Sequence, residues 1–335
     1  MVKCDVIVLI PTLNEASHIG AVLHALFDND LWADRSMIVV ADGGSTDTTC
    51  DIVQSIAAAH TNLRLLHNPG RTQAAAMNML LTPEFDGADI AVRCDAHAIY
   101  PPGFVADTVA ALSAHNVASV VVTMDAVAGH NAGCFRRGLA LVADSRLGAG
   151  GSPHRGGAAS GYVDHGHHAA FRLNAFRALG GYDRSFVANE DAEYDRRLIN
   201  AGHRIWLASD IRIGYIPRDT PRGLWRQYYR YGQGRAATCL KHRIRPKLRQ
   251  MIPVVHVLLM IVSLAILPFT LLGFVWPLAY SLLLLGAAVS LAWQHRTACG
   301  LVAAPALAIM HAAWGLGFLR GLLKGAPPER TGTTK

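Results

Sequence analysis

Short apolar runs alternate with polar loops and amphipathic segments along most of the chain. Runs rich in Val, Ile and Leu are typical of strands buried on both faces, and apolar residues three or four positions apart predict helices. Strands are predicted at residues 5–10, 37–41, 63–66, 88–92, 117–124 and 204–206. Helices are predicted at residues 17–27, 51–59 and 72–81, after Asn189, and at 220–235. This order predicts an α/β fold, with a mostly parallel sheet and helices on both faces.

A second pattern begins near residue 252, where charged residues almost disappear. Apolar runs occupy residues 252–275, 276–293 and 298–319. Since about 20 apolar residues can cross a bilayer, these runs predict membrane helices. The predicted units are a soluble α/β domain at 1–235, a basic juxtamembrane segment at 236–251, a membrane domain of two to three helices at 252–325 and a tail at 326–335.

The number of crossings stays open at this point. Three crossings would leave Arg320, Lys324 and Arg330 on the side opposite the basic block, against the tendency of positive residues to stay in the cytosol. Either that tendency is overridden, or one of the three runs is re-entrant.

Charge and cysteine content indicate which partners and which cellular compartment suit the chain. The chain has 31 Lys and Arg against 24 Asp and Glu, a net charge of +7. Many basic residues lie between Arg218 and Arg249, directly before the apolar runs, which favours anionic lipid headgroups over nucleic acid as their partner. Six cysteines are scattered singly, which argues against a disulfide framework or a structural zinc site and is typical of a reducing compartment. We therefore expect a multi-pass protein of the inner membrane with a cytoplasmic α/β domain.

Polar side chains follow the first three strands, at the edge where parallel sheets bind their ligands. They are Pro11, Thr12, Asn14 and Glu15 after the first strand, Asp42 and Gly43 after the second, and Arg71 after the third. Asp42 can accept hydrogen bonds from ribose hydroxyls or a base, Gly43 permits close backbone approach, and Arg71 can meet a phosphate. The alternative is an ordinary turn and helix start. The GxGxxG and GxxxxGK nucleotide motifs are both missing from the sequence.

Asp95 and His97 follow the fourth apolar run. Two positions apart in a strand, they would share one face. A carboxylate and a neutral imidazole can together hold Mg²⁺ or Mn²⁺, which would neutralise a diphosphate. The alternative is that Asp95 caps the following loop and His97 is a surface residue.

Three motifs, at residues 11–15 (PTLNE), 42–47 (DGGSTD) and 95–97 (DAH), resemble those of the family-2 inverting glycosyltransferases. With residues 133–138 (GCFRRG) and 164–168 (DHGHH) they resemble more narrowly the bacterial succinoglycan-biosynthesis type. The resemblance implies a GT-A fold and a nucleotide-diphospho-sugar donor, in particular UDP-glucose.

The resemblance covers about residues 4–235 and has two departures. Gly43 and His97 stand where an aspartate is common in the broad family. The first weakens any inference about contacts to the base, and the second makes the metal preference less certain.

The acidic stretch after Asn189 offers a catalytic base. Asn189 is a good helix N-cap, and acids are favoured in a first turn, so a purely structural role explains Glu190 and Asp191. An inverting transfer, however, needs one base to deprotonate the acceptor hydroxyl. The resemblance places that base in this Glu-Asp pair, with Asp191 as the base and Glu190 as a positioning neighbour.

Three further stretches are candidates for the acceptor side. Residues 147–161 form a loop rich in Gly and Ser, which is either a flap over the site or a disordered connection. In residues 164–168, His167 is a candidate to lie near the diphosphate or the acceptor, with a zinc site or plain packing as alternatives. Trp225, Arg226 and Arg230 lie at helical spacing and suit a membrane-interface helix that meets a diphosphate lipid, or else an amphipathic surface helix.

Together these patterns predict a membrane-anchored inverting glycosyltransferase, dependent on Mg²⁺ or Mn²⁺. It would move a sugar to a polyprenyl-diphosphate-linked saccharide in exopolysaccharide or cell-surface polysaccharide biosynthesis. One alternative is a sugar nucleotidyltransferase, although the acidic loop at 11–15 does not suit a triphosphate. The other is a non-catalytic membrane component that binds a nucleotide-sugar. No nucleic-acid partner is expected.

Overall fold

A computed structural model describes residues 5–29, 32, 36–129, 131–155, 157, 159–186 and 188–327. Its strands are β1 Val6–Thr12, β2 Met37–Asp42, β3 Leu63–His67, β4 Ile90–Arg93, β5 Ala98–Ile99, β6 Ser119–Ala126, β7 Gly161–Val163, β8 His167–Arg172 and β9 Ile205–Tyr215. Its α-helices are α1 Ile19–Asn29, α2 Thr49–Ala57, α3 Gln73–Met77, α4 Phe104–Ala114, α5 Cys134–Ala143, α6 Arg146–Ala149, α7 Leu173–Ala178, α8 Glu190–Asn200, α9 Pro221–Lys241, α10 Leu248–Ile266, α11 Val275–Gln294 and α12 Ala303–Lys324.

The nine strands described form one mixed sheet in the order β3-β2-β1-β4-β8-β6-β9-β5, and β7 pairs with β9. Strands β1 to β4 are parallel, β8 is antiparallel to β4 and β6, and β6 is parallel to β9. The predicted α/β fold is therefore confirmed, but the sheet is mostly parallel only from β1 to β4, and every other described strand pairing except β6 with β9 is antiparallel. The sequence did not predict the length of β9, which is 11 residues long, because polar residues interrupt its apolar pattern.

The sheet is buried on both faces, as its apolar runs predict. Along β1, Val6, Val8 and Ile10 belong to one core, while Ile7 and Leu9 belong to another. The first core includes residues of α1, α2 and α4, and the second includes residues of α3, α7 and α8. Because helices cover both faces, the carboxyl ends of the parallel strands are the accessible edge where a ligand can bind.

Three C-terminal segments are long and apolar enough to cross a membrane: Leu248–Ile266, Leu271–Gln294 and Ala298–Lys324. They correspond to the three predicted runs with shifted ends. The domain boundary predicted at residue 235 falls inside α9, which continues to Lys241 and packs against α12. At Gly232 and Gly317 a Cβ would collide with the backbone of the facing helix, so glycine is what lets α9 and α12 approach.

The expectation that the cysteines stay unpaired is wrong for two of them. Cys134 at the start of α5 and Cys299, in the 3₁₀ turn before α12, form a disulfide. They are 165 residues apart, so sequence spacing could not reveal the pair. Gly138 allows this approach, because a Cβ there would overlap the carbonyl oxygen of Cys299. The disulfide ties the α/β domain to the apolar helices.

Candidate functional site

A cavity of about 700 Å³ opens at the carboxyl ends of β1 and β4. Of the residues predicted from sequence, it is lined by Pro11, Asp95, His97, His167, Glu190, Asp191, Arg226 and Arg230. Residues that sequence reasoning missed also line it: Arg93, His154, Arg155, His165, Arg218, Gln227 and Tyr231. We call this space the donor cavity. The structure thus brings the two predicted acidic positions, Asp95 and Asp191, into one pocket.

Asp95 is held by the residue two positions before it. Arg93 is buried, donates from Nε to Oδ1 of Asp95 at 3.0 Å, and has its Nη2 2.9 Å from the same oxygen. Burial acts to raise the pKa of Asp95, but the Arg93 guanidinium and then the neighbouring histidines lower it strongly. Asp95 is therefore ionised at neutral pH. The Arg at position 93 was a visible signal, since it ends a buried strand where a lone charge needs a partner.

His167 on β8 is the imidazole that faces Asp95. Its Nε2 lies 3.6 Å from Oδ2 of Asp95, too far for a good hydrogen bond. Burial lowers the pKa of His167 to about 3, so the ring is neutral and has a lone pair to offer. A neutral imidazole and a carboxylate oxygen at this separation can both approach one cation.

Asp95 and His167 are suited to a metal ion whose other ligands come from a substrate. In the part of the chain that the structure describes, no three His, Cys, Asp or Glu side chains converge as a metal site. Mg²⁺ in enzymes is commonly bound by one or two carboxylates, with substrate phosphates and water as its other ligands. Asp95 supplies the carboxylate of that pattern, and His167 would add a nitrogen ligand beside it. A zinc site built only from protein side chains does not fit the described residues.

His97 has a different neighbour from the one inferred. Strand β4 ends at Arg93, so Asp95 and His97 lie in the following turn and the strand spacing assumed for them is absent. Nδ1 of His97 lies 2.9 Å from Oε1 of Glu15. That hydrogen bond raises the pKa of His97, against the effect of burial. Glu15 thereby reaches the donor cavity through His97.

The predicted nucleotide loop lies beside the cavity and is tightly braced. Asp42 accepts hydrogen bonds from the backbone of Gly44 at 2.8 Å and Ser45 at 2.9 Å, and from the Ser45 hydroxyl at 2.5 Å. Asp47 accepts hydrogen bonds from the backbone of Ala16 at 3.2 Å and of Thr49 at 3.0 Å, and so braces the loop. The Asp42 carboxylate therefore shapes its own turn, the alternative that the sequence left open.

The other loop residues hold the two loops together. Asn14, at a φ of 56°, accepts at Oδ1 from the Thr46 backbone at 2.8 Å. Arg71 donates from Nε to the Gly43 carbonyl at 3.0 Å. The Thr12 hydroxyl is buried and donates to the Ile10 carbonyl. These residues form a rigid rim next to the donor cavity.

Helix α8 presents the acidic pair at its N-terminus. Asn189 lies in the left-handed region and makes no side-chain cap; its Nδ2 instead donates to the Tyr231 carbonyl of α9 at 2.8 Å. Asn189 is therefore the N-cap residue of α8, as predicted, but its side chain does not make the capping hydrogen bond. Asp191 accepts at Oδ1 from the Ala192 backbone at 2.7 Å, and the described residues provide no side-chain donor to it.

The charges around α8 differ between its two acids. Burial acts to raise the pKa of Asp191, but His165, His168 and Arg93 lower it overall. Burial, and then the charge of Asp191, raise the pKa of Glu190. Asp191 is thus the acid of the pair that stays ionised and able to accept a proton.

A buried network lies one helical turn beyond Asp191. Asp195 accepts hydrogen bonds from His165 at 2.7 Å and His168 at 2.6 Å, and His168 contacts the Tyr182 hydroxyl. This network orients His165, which lines the donor cavity. The four-residue spacing of Asp191 and Asp195 could have placed both on one helix face, but their histidine partners are visible only in the fold.

Of the three residues that the sequence suggested for the acceptor on α9, only two line the donor cavity. Arg226 and Arg230 line the donor cavity, whereas Trp225 is 40% exposed and does not line it. In the loop at residues 147–161, Arg155 is half-buried, pairs with Asp144 at 2.9 Å and stacks over the Tyr215 ring. The described part of this loop is therefore anchored at Arg155 in the cavity wall.

Comparisons with known proteins identify the family of this chain. The model of the family Glycosyl transferase family 2 matches residues 7–180, and that of Glycosyl transferase family group 2 matches residues 94–316. The chain is 42% identical over 324 residues to the succinoglycan biosynthesis protein ExoA of Rhizobium meliloti (strain 1021), covering 95% of this chain and 94% of the relative. It is 23% identical over 235 residues to a dolichyl N-acetyl-alpha-D-glucosaminyl phosphate 3-beta-D-2,3-diacetamido-2,3-dideoxy-beta-D-glucuronosyltransferase of Methanococcus voltae, covering 67% and 71%.

A solved structure shares the fold. The mannosyltransferase PcManGT of Pyrobaculum calidifontis, in complex with GDP-Man and Mn²⁺, superposes with a TM-score of 0.62 at 22% identity, covering 96% of this chain and 87% of that one. The likeness extends over both the α/β domain and the apolar helices. The chain belongs to glycosyl transferase family 2 and is a glycosyltransferase with the GT-A fold.

Proposed function

We propose that this glycosyltransferase moves glucose from UDP-glucose, with inversion, to a polyprenyl-diphosphate-linked saccharide at the cytosolic face of the membrane. The observation that carries the proposal is that one cavity is lined by Asp95, by His167, which faces it, and by Asp191 in the first turn of α8. The relation to a succinoglycan biosynthesis protein supports a role in exopolysaccharide synthesis. The name of the Methanococcus voltae relative, which specifies a dolichyl-phosphate-linked sugar, supports a lipid-linked acceptor.

The chemistry is a single displacement. The acceptor hydroxyl oxygen forms a bond to the anomeric carbon from one face, while the bond from that carbon to the diphosphate oxygen breaks on the other. Asp191 takes the hydroxyl proton, because it is ionised and the described side chains leave it without a donor. Glu190, buried beside it, positions the helix start and limits its solvent access.

Asp95 and His167 are the residues that would hold Mg²⁺ or Mn²⁺, with His97 as a further candidate on the same rim. The bound ion supplies charge neutralisation for the departing diphosphate. Arg226 and Arg230 line the same cavity and add positive charge near the phosphates. Pro11 lines the cavity too. We propose that the nucleoside lies against the adjoining loops, which carry Thr12, Asn14, Glu15, Asp42, Gly43 and Arg71.

The packing of α12 supports a proposal about the membrane topology. Helix α9 packs against α12 along most of its length. Near the start of both helices, Leu224 and Ala303 belong to one apolar cluster. Further along, Ala236 of α9 lies against Gly321 of α12. Helix α9 carries arginines at 222, 226, 230 and 235, so it cannot cross a bilayer. We therefore propose that α12 lies with α9 at the membrane surface and that only α10 and α11 cross.

Burial and charge support two crossings. In the most apolar window of the segment that contains α12, 44% of the residues are buried, against 22% for α10 and 17% for the segment that contains α11. Two crossings return Arg320 and Lys324 to the cytosolic side, which removes the conflict with the positive-inside tendency. Single-cysteine labelling in sealed vesicles tests this: Lys324→Cys should be modified from the cytosolic side and Phe269→Cys from the other. Modification of both from one side would contradict the arrangement.

The function itself is tested by transfer. Membranes that contain the protein are incubated with a panel of labelled nucleotide-sugars, and transfer to extractable lipid is scored with Mn²⁺, with Mg²⁺ and with a chelator. Metal-dependent labelling of lipid by UDP-glucose supports the proposal. Transfer from another sugar nucleotide would correct the donor, and release of pyrophosphate from a nucleoside triphosphate without lipid labelling would overturn the assignment.

A further inference from the structure

A second cavity, of about 310 Å³, adjoins the donor cavity on the side of the apolar helices. Four parts of the chain surround it: the segment that contains α6, helix α9, the start of α10 and the middle of α12. The two cavities share part of one wall, which is made of His154, Arg155, His165, Asn189 and Tyr231. A ligand in the second cavity could therefore extend into the first, to Asp191. We call the second space the lipid-side cavity.

The lining of the lipid-side cavity contains arginines and, among the described residues, no carboxylate. Arg146, Arg235 and Arg249 line it, and in the described part of the chain none of them has a carboxylate partner within ion-pair distance. Arg155 in the shared wall is already paired with Asp144. Arg249 only donates to the Gly150 carbonyl at 3.2 Å. A cavity lined by unpaired guanidinium groups is suited to an anion.

Arg235 and Arg249 are also close enough to repel each other. Both are half-buried; burial and the charge of Arg235 lower the pKa of Arg249 overall, while Asp164, which pairs with Lys247, acts in the opposite direction. Holding two like charges together in a partly dry space costs free energy that a bound anion would offset. Arg235 comes from α9 and Arg249 from the first turn of α10, so an anion between them would also join these two helices.

The opposite side of the lipid-side cavity is apolar. Ile252 and Pro253 from α10, and Met310 and Trp314 from α12, line it next to the surface proposed to face the bilayer. Ile252 is 64% exposed, as expected of a residue at a lipid-facing opening. The cavity therefore combines cationic groups, an apolar opening and a wall shared with the cavity that contains Asp191.

We propose that the lipid-side cavity binds the acceptor by its polyprenyl diphosphate, with Arg235 and Arg249 on the phosphates and the prenyl chain leaving past Ile252 and Trp314. This inference rests on the proposed function and deepens it. It places the lipid phosphates away from Trp225, Arg226 and Arg230, the residues that the sequence suggested. The saccharide on the diphosphate extends past His165 and Asn189, and its hydroxyl reaches Asp191.

The test uses the full chain in nanodiscs and farnesyl diphosphate as the probe. Binding of farnesyl diphosphate, of farnesol and of UDP is measured for the wild type, for Arg235→Ala/Arg249→Ala, for Arg249→Gln alone and for Arg243→Ala. Arg243 is an exposed member of the same basic block that lines neither cavity, so it is the matched control. Arg249→Gln keeps the proposal testable if the double variant does not fold.

We expect the double variant to bind farnesyl diphosphate at least about tenfold more weakly, and Arg249→Gln to be weakened in the same direction, since charge-assisted bonds are lost. Binding of UDP should not change, and Arg243→Ala should match the wild type. In transfer assays with an extract of membrane lipid as acceptor, KM should rise while kcat at saturation stays near its original value.

Three results separate the possibilities. Unchanged binding of farnesyl diphosphate in both arginine variants overturns the proposal. If the two arginine variants lose farnesol binding as much as farnesyl diphosphate binding, the arginines do not recognise the phosphates, and the proposal is also overturned. Binding that depends on the arginines, without any sugar transfer, supports the site but contradicts the proposed function. Sugar transfer that neither variant changes supports the proposed function but contradicts the site.

Discussion

The two adjoining cavities differ in how their charges are balanced. In the donor cavity, Arg93 is paired with Asp95, and His97 is paired with Glu15. In the lipid-side cavity, Arg235 and Arg249 have no acidic partner among the described residues. The first therefore holds both signs of charge in fixed positions, and the second is a cationic space with one apolar side.

This difference indicates separate tasks. A reacting site must supply a base on one side of the sugar and positive charge on the other, and both must be in place before the substrate arrives. A site that only holds a charged ligand needs attraction and no base. The shared wall of His165 and Asn189 lies where these two requirements meet. Variants on each side should consequently affect different kinetic constants.

The largest effect is expected from Asp191→Asn. The change keeps the shape and removes the proton acceptor, so kcat should fall by about 10²- to 10⁴-fold, the usual contribution of a general base. Binding of UDP should stay within about twofold of the wild type, because Asp191 is proposed to touch the acceptor and not the nucleotide. Transfer to lipid is measured against UDP binding in the same preparation.

Asp51→Asn is the matched control for that prediction. Asp51 also lies in the first turn of a helix, α2, but is exposed and outside both cavities. If the two variants lost transfer to the same degree, the loss would reflect helix stability, and the assignment of Asp191 as the base would be wrong.

The second effect in size is expected from Asp95→Asn. It removes the carboxylate that faces His167 and leaves Arg93 unpaired, which makes the donor cavity resemble the lipid-side cavity in charge. Metal-dependent binding of UDP should weaken at least about tenfold, since one of two protein ligands loses its charge. Binding in the presence of a chelator should change little.

Asp125→Asn controls for the loss of an ion pair as such. Asp125 pairs with Arg212 at the surface, where the pair contributes little to stability. A buried pair costs more to break, so thermal unfolding is followed for both variants. Equal binding of UDP by Asp95→Asn with and without metal, at the wild-type affinity, would contradict a role for Asp95 in holding the ion.

The sequence predicted the donor cavity better than the lipid-side cavity for a physical reason. Strand ends follow directly from short apolar runs, and parallel strands gather those ends at one edge, so Asp95 and the loop at 11–15 could be placed from local pattern alone. Asp191 could be placed because it begins a helix in a motif. These signals all lie within a few residues of the side chain concerned.

The missing parts depend on contacts between distant segments. Arg235 and Arg249 lie on two different helices, and His165 finds Asp195 30 residues away. The pairing of Cys134 with Cys299 and the packing of α12 on α9 are of the same kind. Composition alone made α12 similar to α10 and α11, although its surroundings are different.

The smallest effect is expected at the shared wall, from His165→Gln. Asp191 is faced by His165, His168, Arg93, Asp195 and Glu190; burial acts to raise its pKa, and the histidines and Arg93 outweigh that effect. Removing His165 should therefore raise the pKa of Asp191. Because the base must be ionised, the acidic limb of the profile of kcat against pH should move to higher pH, while the rate at mildly alkaline pH stays near that of the wild type.

His154→Gln is the control, since the ring of His154 lies 5.5 Å from that of His165 but burial lowers its pKa so far that it is neutral. An identical shift in both variants, or a shift of the limb to lower pH in His165→Gln, would show that His165 does not hold Asp191 in its ionised form.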